Sequence, residues 1–308
     1  MTCADALGTL AIMRTDNDSW DIKTGVGSTA LFVAAARALG GRDPDAPARD
    51  PFAEHFVRAA GPEWVDLLEG RTPEHPLLTP DFGAQFQQHQ IGRTRYFDDF
   101  LASATAAGIR QIVILAAGLD ARAYRLAWPD GTDIYELDRP QVLAFKRETL
   151  AAAGFTPGAR RHEVAVDLRE DWPKALRESG FDPSAPTAWL VEGLLIYLTP
   201  AAQDDLFTAI AALSAPGSRV AVEQMDPLPA EAVAAMSEGD DAGSEWVNMI
   251  YNEPRTDTTA WFGAHGWTGE RVALTDYLVR LGRTPVGAGP RQQSLISLVT
   301  VARTATGS

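Results

Sequence analysis

The sequence predicts an α/β fold built around a doubly wound, mostly parallel sheet. Three observations predict it. From residue 110 onward, apolar strand candidates alternate with helical segments, as in parallel strands joined by right-handed crossovers. The strands are continuous apolar runs such as IVIL and AWLV, which is typical of strands buried on both faces. Acidic residues follow the strand ends, where open α/β sheets bind ligands.

Length and charge limit the classes of function. The chain has 308 residues, which suits a single domain with a substantial core. Its net charge of −14 disfavours nucleic acid and anionic membranes as partners. One cysteine and five separated histidines predict no metal site. Without a signal-peptide pattern or an apolar run of about 18 residues, we expect a cytoplasmic location.

The first 80 residues predict a helical N-terminal extension. The Ala-rich stretch up to Leu39 is a helix candidate, and two shorter helices are expected around 51–60 and 62–69. The segment GVGSTA at 25–30 matches a dinucleotide-binding glycine pattern. The preceding WDIKT is too short and polar for a buried strand, so we interpret this segment as a turn that starts the helix.

We expect residues 81–224 and 269–308 to form the core around the sheet. Helix candidates lie at 81–107, 121–126, 139–153, 171–179, 200–213 and 269–281. Strand candidates lie at 111–116, 132–137, 162–167, 187–192 and 218–223, and at 294–303, where an antiparallel edge strand is expected. Residues 225–268 are interpreted as a helical cap insertion. We expect the N-terminal helices and this cap to cover the ligand site. Their aromatic residues could line an apolar substrate pocket or form the cap's own core, and they include Trp246, Tyr251, Trp261 and Phe262.

The bend AAGLDA after the first strand predicts a ribose-containing ligand. Gly118 allows a sharp turn or a close approach of the backbone, and Asp138 follows 20 residues later, the spacing of an acid that binds ribose hydroxyls. Ala116 stands where the NAD pattern has its first glycine, and Asp120 would repel a diphosphate. The bend therefore favours S-adenosylmethionine over NAD.

Acidic residues lie at the ends of three further strand candidates. Asp167 could pair with an adenine amino group while Leu168 covers the ring, or it could cap the helix near 171. Glu192 closes an apolar run, where an unpaired carboxylate is costly, which favours a functional role near an amino group or a sulfonium. The fifth strand ends in Glu223, Gln224 and Asp226, which could face substrate or solvent.

Six segments together resemble one family: TGVGSTALFVAAARA, RTRYFDDFL, ILAAGLDARAYRL, ELDRPQVLAFK, VDLREDWP and VEGLLIYLT. The sequence is similar, over nearly its whole length, to the leucine carboxyl methyltransferase-like branch of class I S-adenosylmethionine-dependent methyltransferases. The resemblance implies a Rossmann-like sheet of seven strands and S-adenosylmethionine as cofactor.

The resemblance also implies roles for single residues. Asp138 corresponds to the ribose-binding acid, and Asp167 and Leu168 to the adenine-side pair. Ala116 and Gly118 correspond to the bend that faces the cofactor, with alanine where glycine is commoner.

At the methionine end of the cofactor, the resemblance places Glu192 and a basic residue. Arg95 resembles an arginine that contacts the methionine carboxylate, and Arg93, two residues away, competes for this role. Lys23 stands where related enzymes have a basic residue.

The expected reaction is O-methylation of a carboxylate or hydroxyl of a small-molecule acceptor. In-line methyl transfer depends mainly on positioning, and a carboxylate acceptor requires no general base. No base is convincing in the sequence, so no catalytic residue is predicted. Two alternatives remain open, namely a nucleotide-dependent oxidoreductase and an inactive protein that binds S-adenosylmethionine.

Overall fold

The computed structural model describes residues 26–237, 248–286 and 295–304, without the side chains of 26–28 and 235–237. Among the helices of these residues, none combines the length and apolar character needed to cross a bilayer.

A seven-stranded sheet organises the described residues, in the order β3-β2-β1-β4-β5-β7-β6. The strands are β1 (Gln111–Leu115), β2 (Asp133–Asp138), β3 (Arg160–Ala165), β4 (Thr187–Val191), β5 (Arg219–Met225), β6 (Trp267–Ala273) and β7 (Ile296–Arg303). Strands β1 to β5 are parallel, whereas β7 runs antiparallel between β5 and β6. The predicted fold class is confirmed.

Helices cover both faces of the sheet. They are α1 (Val26–Gly40), α2 (Ala53–Ala60), α3 (Pro62–Leu68), α4 (Phe82–Ala106), α5 (Arg122–Arg125), α6 (Pro140–Ala152), α7 (Trp172–Glu178), α8 (Pro200–Ala212), α9 (Ala230–Ser237), α10 (Thr258–Ala264) and α11 (Leu274–Arg280). Two short 3-10 helices span Pro76–Leu78 and Leu195–Tyr197. Between residues 51 and 213, the predicted elements agree with these bounds to within about two residues.

The end of the chain differs from the prediction. Instead of a helix over 269–281, residues 267–273 form β6, which pairs with β7 from Trp267 opposite Arg303 to Ala273 opposite Ser297. Helix α11 begins only at Leu274. The edge of the sheet is therefore β6 and not the last strand. Backbone pairing with β7 outweighs local helix propensity here, because an edge strand can expose most of its side chains and lacks a clear apolar pattern.

Three apolar clusters connect the layers. Val113 and Leu115 pack on one face of β1, and Ile112 and Ile114 on the other, as strand geometry requires. A third cluster joins α1, α2 and α3 to Leu119 and Ala121 in the bend after β1, and to Leu150 of α6. The N-terminal helices are thus packed directly against the ligand-binding edge of the sheet.

Part of the predicted cap belongs to the core. Trp261 and Phe262 of α10 lie in the same buried cluster as Phe207, and Phe262 packs against Trp267. These two side chains therefore do not form an acceptor pocket. Trp246 lies outside the described residues.

Candidate functional site

A cavity of about 1070 Å³ opens at the carboxyl ends of strands β1 to β5. Six of the seven predicted site residues line it: Ala116, Gly118, Asp138, Asp167, Leu168 and Glu192. The seventh, Arg95, is not among the lining residues. The fold therefore gathers residues from four strand ends, up to 76 positions apart in sequence, around one space.

The bend after β1 has an unusual backbone. Ala116 has a φ of 51°, and it is the one non-glycine residue with a positive φ in the described parts of the chain. Gly118 has a φ of 46°, and a Cβ added there would meet Ala30 at an ordinary 3.8 Å. Backbone conformation, rather than space, is therefore what requires glycine at 118. At Ala116 the left-handed conformation costs about 1–2 kcal/mol, and strain of this kind is concentrated at binding sites.

Asp138 is held by the bend. Its Oδ2 accepts a hydrogen bond from the Gly118 N–H at 2.6 Å, and its Oδ1 accepts from the Arg139 N–H at 2.7 Å. Burial raises the pKa of Asp138 above its ordinary value, although both backbone hydrogen bonds oppose this. Each carboxylate oxygen has two lone pairs, so both oxygens can accept a second hydrogen bond from a ligand.

Asp167 lies just beyond β3 and is surrounded by arginines. Its carboxylate contacts the guanidinium groups of Arg139 and Arg169. Burial pushes the pKa of Asp167 upward, but hydrogen bonds from Arg169 and the charges of both arginines outweigh it and hold the pKa at about 2. Asp171, not Asp167, caps α7, since its side chain accepts from the Lys174 N–H. Asp167 is therefore an ionised group at the cavity rather than a helix cap.

Glu192 belongs to a nearly buried ionic network. Its carboxylate lies 3.0 Å from Arg93 Nε and 2.7 Å from Arg122 Nη1. Arg93 also donates to Glu223 Oε2 at 2.6 Å, and the Gly193 N–H donates to the same oxygen at 2.7 Å. Burial opposes the charge on Arg93, but Glu223 and Glu192 outweigh it and raise the Arg93 pKa. Glu223, which the sequence left open between substrate and solvent, thus lines the cavity.

The structure separates the two candidate arginines of α4. Arg93 lines the cavity with 8% of its side chain exposed, whereas Arg95 is 43% exposed and pairs with Asp99 at 2.8 Å. Two positions along a helix correspond to a rotation of about 200°, so the side chains leave on opposite sides. The structure therefore brings Arg93, and not Arg95, to this cavity. Lys23 lies outside the described residues.

Two basic side chains that sequence reasoning missed donate hydrogen bonds to backbone carbonyls of the bend. Arg37 of α1 donates to the Leu119 carbonyl at 2.8 Å. Lys146 of α6 is fully buried, lies 2.7 Å from Glu136 Oε2 and donates to the Asp120 carbonyl at 3.0 Å. Glu136 is therefore an internal counter-ion under the bend. The sequence signal for this pairing is that Lys146 shares one face of α6 with the buried Val142, Leu143 and Leu150, where an unpaired charge is costly.

Another part of the cavity lining is aromatic. We call five lining side chains from α1, α3, α4 and the first 3-10 helix the aromatic wall: Phe32, Trp64, His75, Phe82 and Phe86. Their ring centroids lie 5.3 to 6.5 Å apart in successive pairs. The sequence predicted that the N-terminal helices help to cover the site, but the aromatic residues it named lie in 225–268. It could not show which face of each N-terminal helix meets the cavity.

His75 of the aromatic wall is held in one tautomer. Its Nδ1 accepts a hydrogen bond from the Leu77 N–H at 3.2 Å, so the neutral ring carries its proton on Nε2. Burial lowers the pKa of His75. The ring can therefore donate a hydrogen bond into the cavity but does not offer a free base.

Comparisons with known proteins agree on one family. The leucine carboxyl methyltransferase model matches residues 30–211, more than half of the chain. A protein of Mycobacteroides abscessus, provisionally named an S-adenosyl-L-methionine-dependent methyltransferase, is 56% identical over 277 residues, covering 88% of this chain and 92% of its own. A protein of the same provisional name from Mycobacterium tuberculosis is 54% identical over 289 residues, covering 90% and 96%.

A solved structure shows the same fold. A crystal structure from Thermobifida fusca, provisionally assigned as a methyltransferase, matches with a TM-score of 0.51 at 18% identity, covering 89% of this chain and 94% of its own.

Proposed function

Because this chain belongs to the leucine carboxyl methyltransferase family of S-adenosylmethionine-dependent methyltransferases, we propose that it methylates a carboxylate oxygen of a small-molecule acceptor. The observation that carries the proposal is the convergence of strand-end carboxylates and an arginine on one cavity, whose lining also includes several aromatic side chains. The cofactor, when bound, supplies an electrophilic methyl group on a sulfonium sulfur.

The bend and the two aspartates suit the nucleoside of this cofactor. Ribose hydroxyls are hydrogen-bond donors, and each oxygen of Asp138 keeps an open lone pair as an acceptor. The oxygens of Asp167 already accept from Arg139 and Arg169, so the adenine amino group would replace a contact of the exposed Arg169. Asp138 is held in place by Gly118. Leu168 is partly buried beside Asp167 and offers an apolar surface for the purine ring.

The ionic network suits the methionine end. We assign the methionine carboxylate to Arg93, because its guanidinium is buried at the cavity while that of Arg95 is not. We assign the amino group to Glu192, whose carboxylate is held between Arg93 and Arg122. Both side chains are fixed by ion pairs, so the site is preorganised before the cofactor binds.

The acceptor is an oxygen anion in this proposal because the cavity offers poor bases. His75 uses its basic nitrogen on Leu77, and Glu192, Glu223 and Asp120 are engaged by arginines. A carboxylate is already ionised at neutral pH. With the cofactor bound, attack of this oxygen on the methyl carbon would break the carbon–sulfur bond and leave the bonding electrons on sulfur. A methyl ester and S-adenosylhomocysteine would form without a proton transfer.

The test compares acceptor classes. The protein is incubated with S-adenosylmethionine and panels of carboxylic acids, phenols and amines, and both S-adenosylhomocysteine and the methylated product are measured by mass spectrometry. We expect base-labile methyl esters from acids. Products from amines or phenols alone would contradict the carboxylate assignment, and cofactor binding without any turnover would indicate an inactive binding protein.

A matched pair of variants tests the arginine assignment. Arg93→Gln should weaken S-adenosylmethionine binding by about 1–3 kcal/mol, the scale of lost charge-assisted hydrogen bonds, whereas Arg95→Gln should leave it unchanged. Isothermal titration calorimetry measures both affinities. A larger loss in Arg95→Gln than in Arg93→Gln would reverse the assignment.

A further inference from the structure

From the cavity's apolar side, and resting on the proposed function, we infer that the acceptor is an aromatic carboxylic acid. Its ring lies against the aromatic wall, and its carboxylate is oriented toward the methyl group by Gln90.

Cavity size leaves room for a second molecule. Pockets for one drug-sized ligand have volumes of about 300–1,000 Å³, and this cavity measures about 1070 Å³. The nucleoside-binding bend and the ionic network occupy the strand-end side. The aromatic wall lines the same continuous space.

The aromatic wall is incompletely covered. Phe82 is 43% exposed, and Phe32, Trp64 and Phe86 are only partly buried although they line the cavity. Aromatic rings prefer partners at centroid distances of about 4.5–7 Å, in stacked or tilted geometry. Phe82 and Phe86 are already stacked, with an interplanar angle of 17°, and the uncovered surface can accept one more flat ring.

Helix α4 sets the orientation of the acceptor. Phe82, Phe86, Gln90 and Arg93 follow one another at intervals of four, four and three residues, so they lie on one face of the helix, and all four line the cavity. This face changes from apolar through amide to charged. An acceptor lying along it has its ring at Phe82 and Phe86 and its polar end near Arg93 and Glu192.

Gln90 lies at the transition and has unused hydrogen-bonding capacity. The residue is 5% exposed, and its Oε1 has no hydrogen-bond partner among the described residues. An unpaired buried polar atom costs about 1–3 kcal/mol, and such atoms in native structures require an explanation. Gln90 also lines the cavity. Its terminal NH₂ group carries two hydrogen-bond donors, so it can donate to an acceptor carboxylate there.

The experiment measures binding of acids to the protein saturated with S-adenosylhomocysteine, by isothermal titration calorimetry. The probes are 3-phenylpropanoate, 3-cyclohexylpropanoate, acetate and succinate. We expect 3-phenylpropanoate to bind more tightly than the other three, and to yield its methyl ester when S-adenosylmethionine replaces S-adenosylhomocysteine.

Three variants localise the effect. Phe86→Leu should weaken 3-phenylpropanoate binding about fivefold, the scale of one aromatic contact, and Gln90→Leu should weaken it about tenfold through the lost hydrogen bond. Both should leave S-adenosylhomocysteine affinity within about twofold, since neither side chain is assigned to the cofactor. Phe155→Leu is the control, because Phe155 is 37% exposed and does not line the cavity.

The outcomes separate the two proposals. Normal S-adenosylhomocysteine binding without binding of 3-phenylpropanoate at millimolar concentration, or equal binding of its cyclohexyl analogue, would overturn this inference alone. Equal losses in Phe86→Leu and Phe155→Leu would also overturn it. Failure to bind S-adenosylhomocysteine would overturn the proposed function, and the inference with it.

Discussion

Replacement of Lys146 by methionine tests the buried ion pair that supports the bend after β1. Lys146 and Glu136 are both 0% exposed, with Nζ 2.7 Å from Oε2, and Nζ also donates to the Asp120 carbonyl. Removing one partner of a buried ion pair costs about 3–5 kcal/mol because the other charge is left uncompensated. Arg161 still contacts Glu136 at 2.7 Å, so we expect the lower end, a loss of about 3 kcal/mol in the free energy of unfolding.

Urea unfolding followed by circular dichroism measures this loss. Lys174→Met is the matched control, since Lys174 is 67% exposed and its Nζ is 3.9 Å from Glu178. Such surface pairs contribute about 0–1 kcal/mol. A loss below about 1 kcal/mol for Lys146→Met, or equal losses in both variants, would refute the assignment of Lys146 as a buried counter-ion.

Three further predictions concern the cavity edge. Asp138→Ala should weaken S-adenosylmethionine binding by about 1–3 kcal/mol through lost hydrogen bonds. Calorimetry should show no loss of affinity in the control variant Asp171→Ala. Equal affinities of the two variants would remove Asp138 from the site. Ala116→Gly should raise the free energy of unfolding in urea by about 0.5–1 kcal/mol. The strain of the left-handed conformation that glycine removes exceeds the entropy that it adds to the unfolded chain. A lower free energy of unfolding would show that Ala116 is unstrained. Because the Asp167 pKa is lowered from 3.8 to about 2, its stabilisation is present above pH 3.8 and is lost as the pH falls toward 2. Asp167→Asn should therefore lower the free energy of unfolding by about 1–2 kcal/mol at pH 7 and by little at pH 2. This figure is reduced from the full pKa shift because solvent screens the exposed Arg169. A difference in unfolding free energy that does not change with pH would contradict this.

The local sequence pattern was sufficient to predict those elements whose structure depends on neighbouring residues. The buried runs of β1 and β4 and the 20-residue interval from Gly118 to Asp138 depend on strand and turn chemistry within a short segment. The sequence pattern did not predict the strand at 267–273, because this strand is stabilised by pairing with β7, about 30 residues away.

The sequence by itself determined the α/β class and which strand ends carry carboxylates, because apolar runs and bends are local properties of the chain. Only the tertiary structure decided that Arg93 rather than Arg95 reaches the cavity, that Glu136 is a counter-ion to Lys146, and that aromatic rings from the N-terminal helices face the strand ends. The physical reason is that helix rotation, ion pairing and cavity shape arise from contacts between distant segments, whose free energies depend on packing that local sequence does not encode.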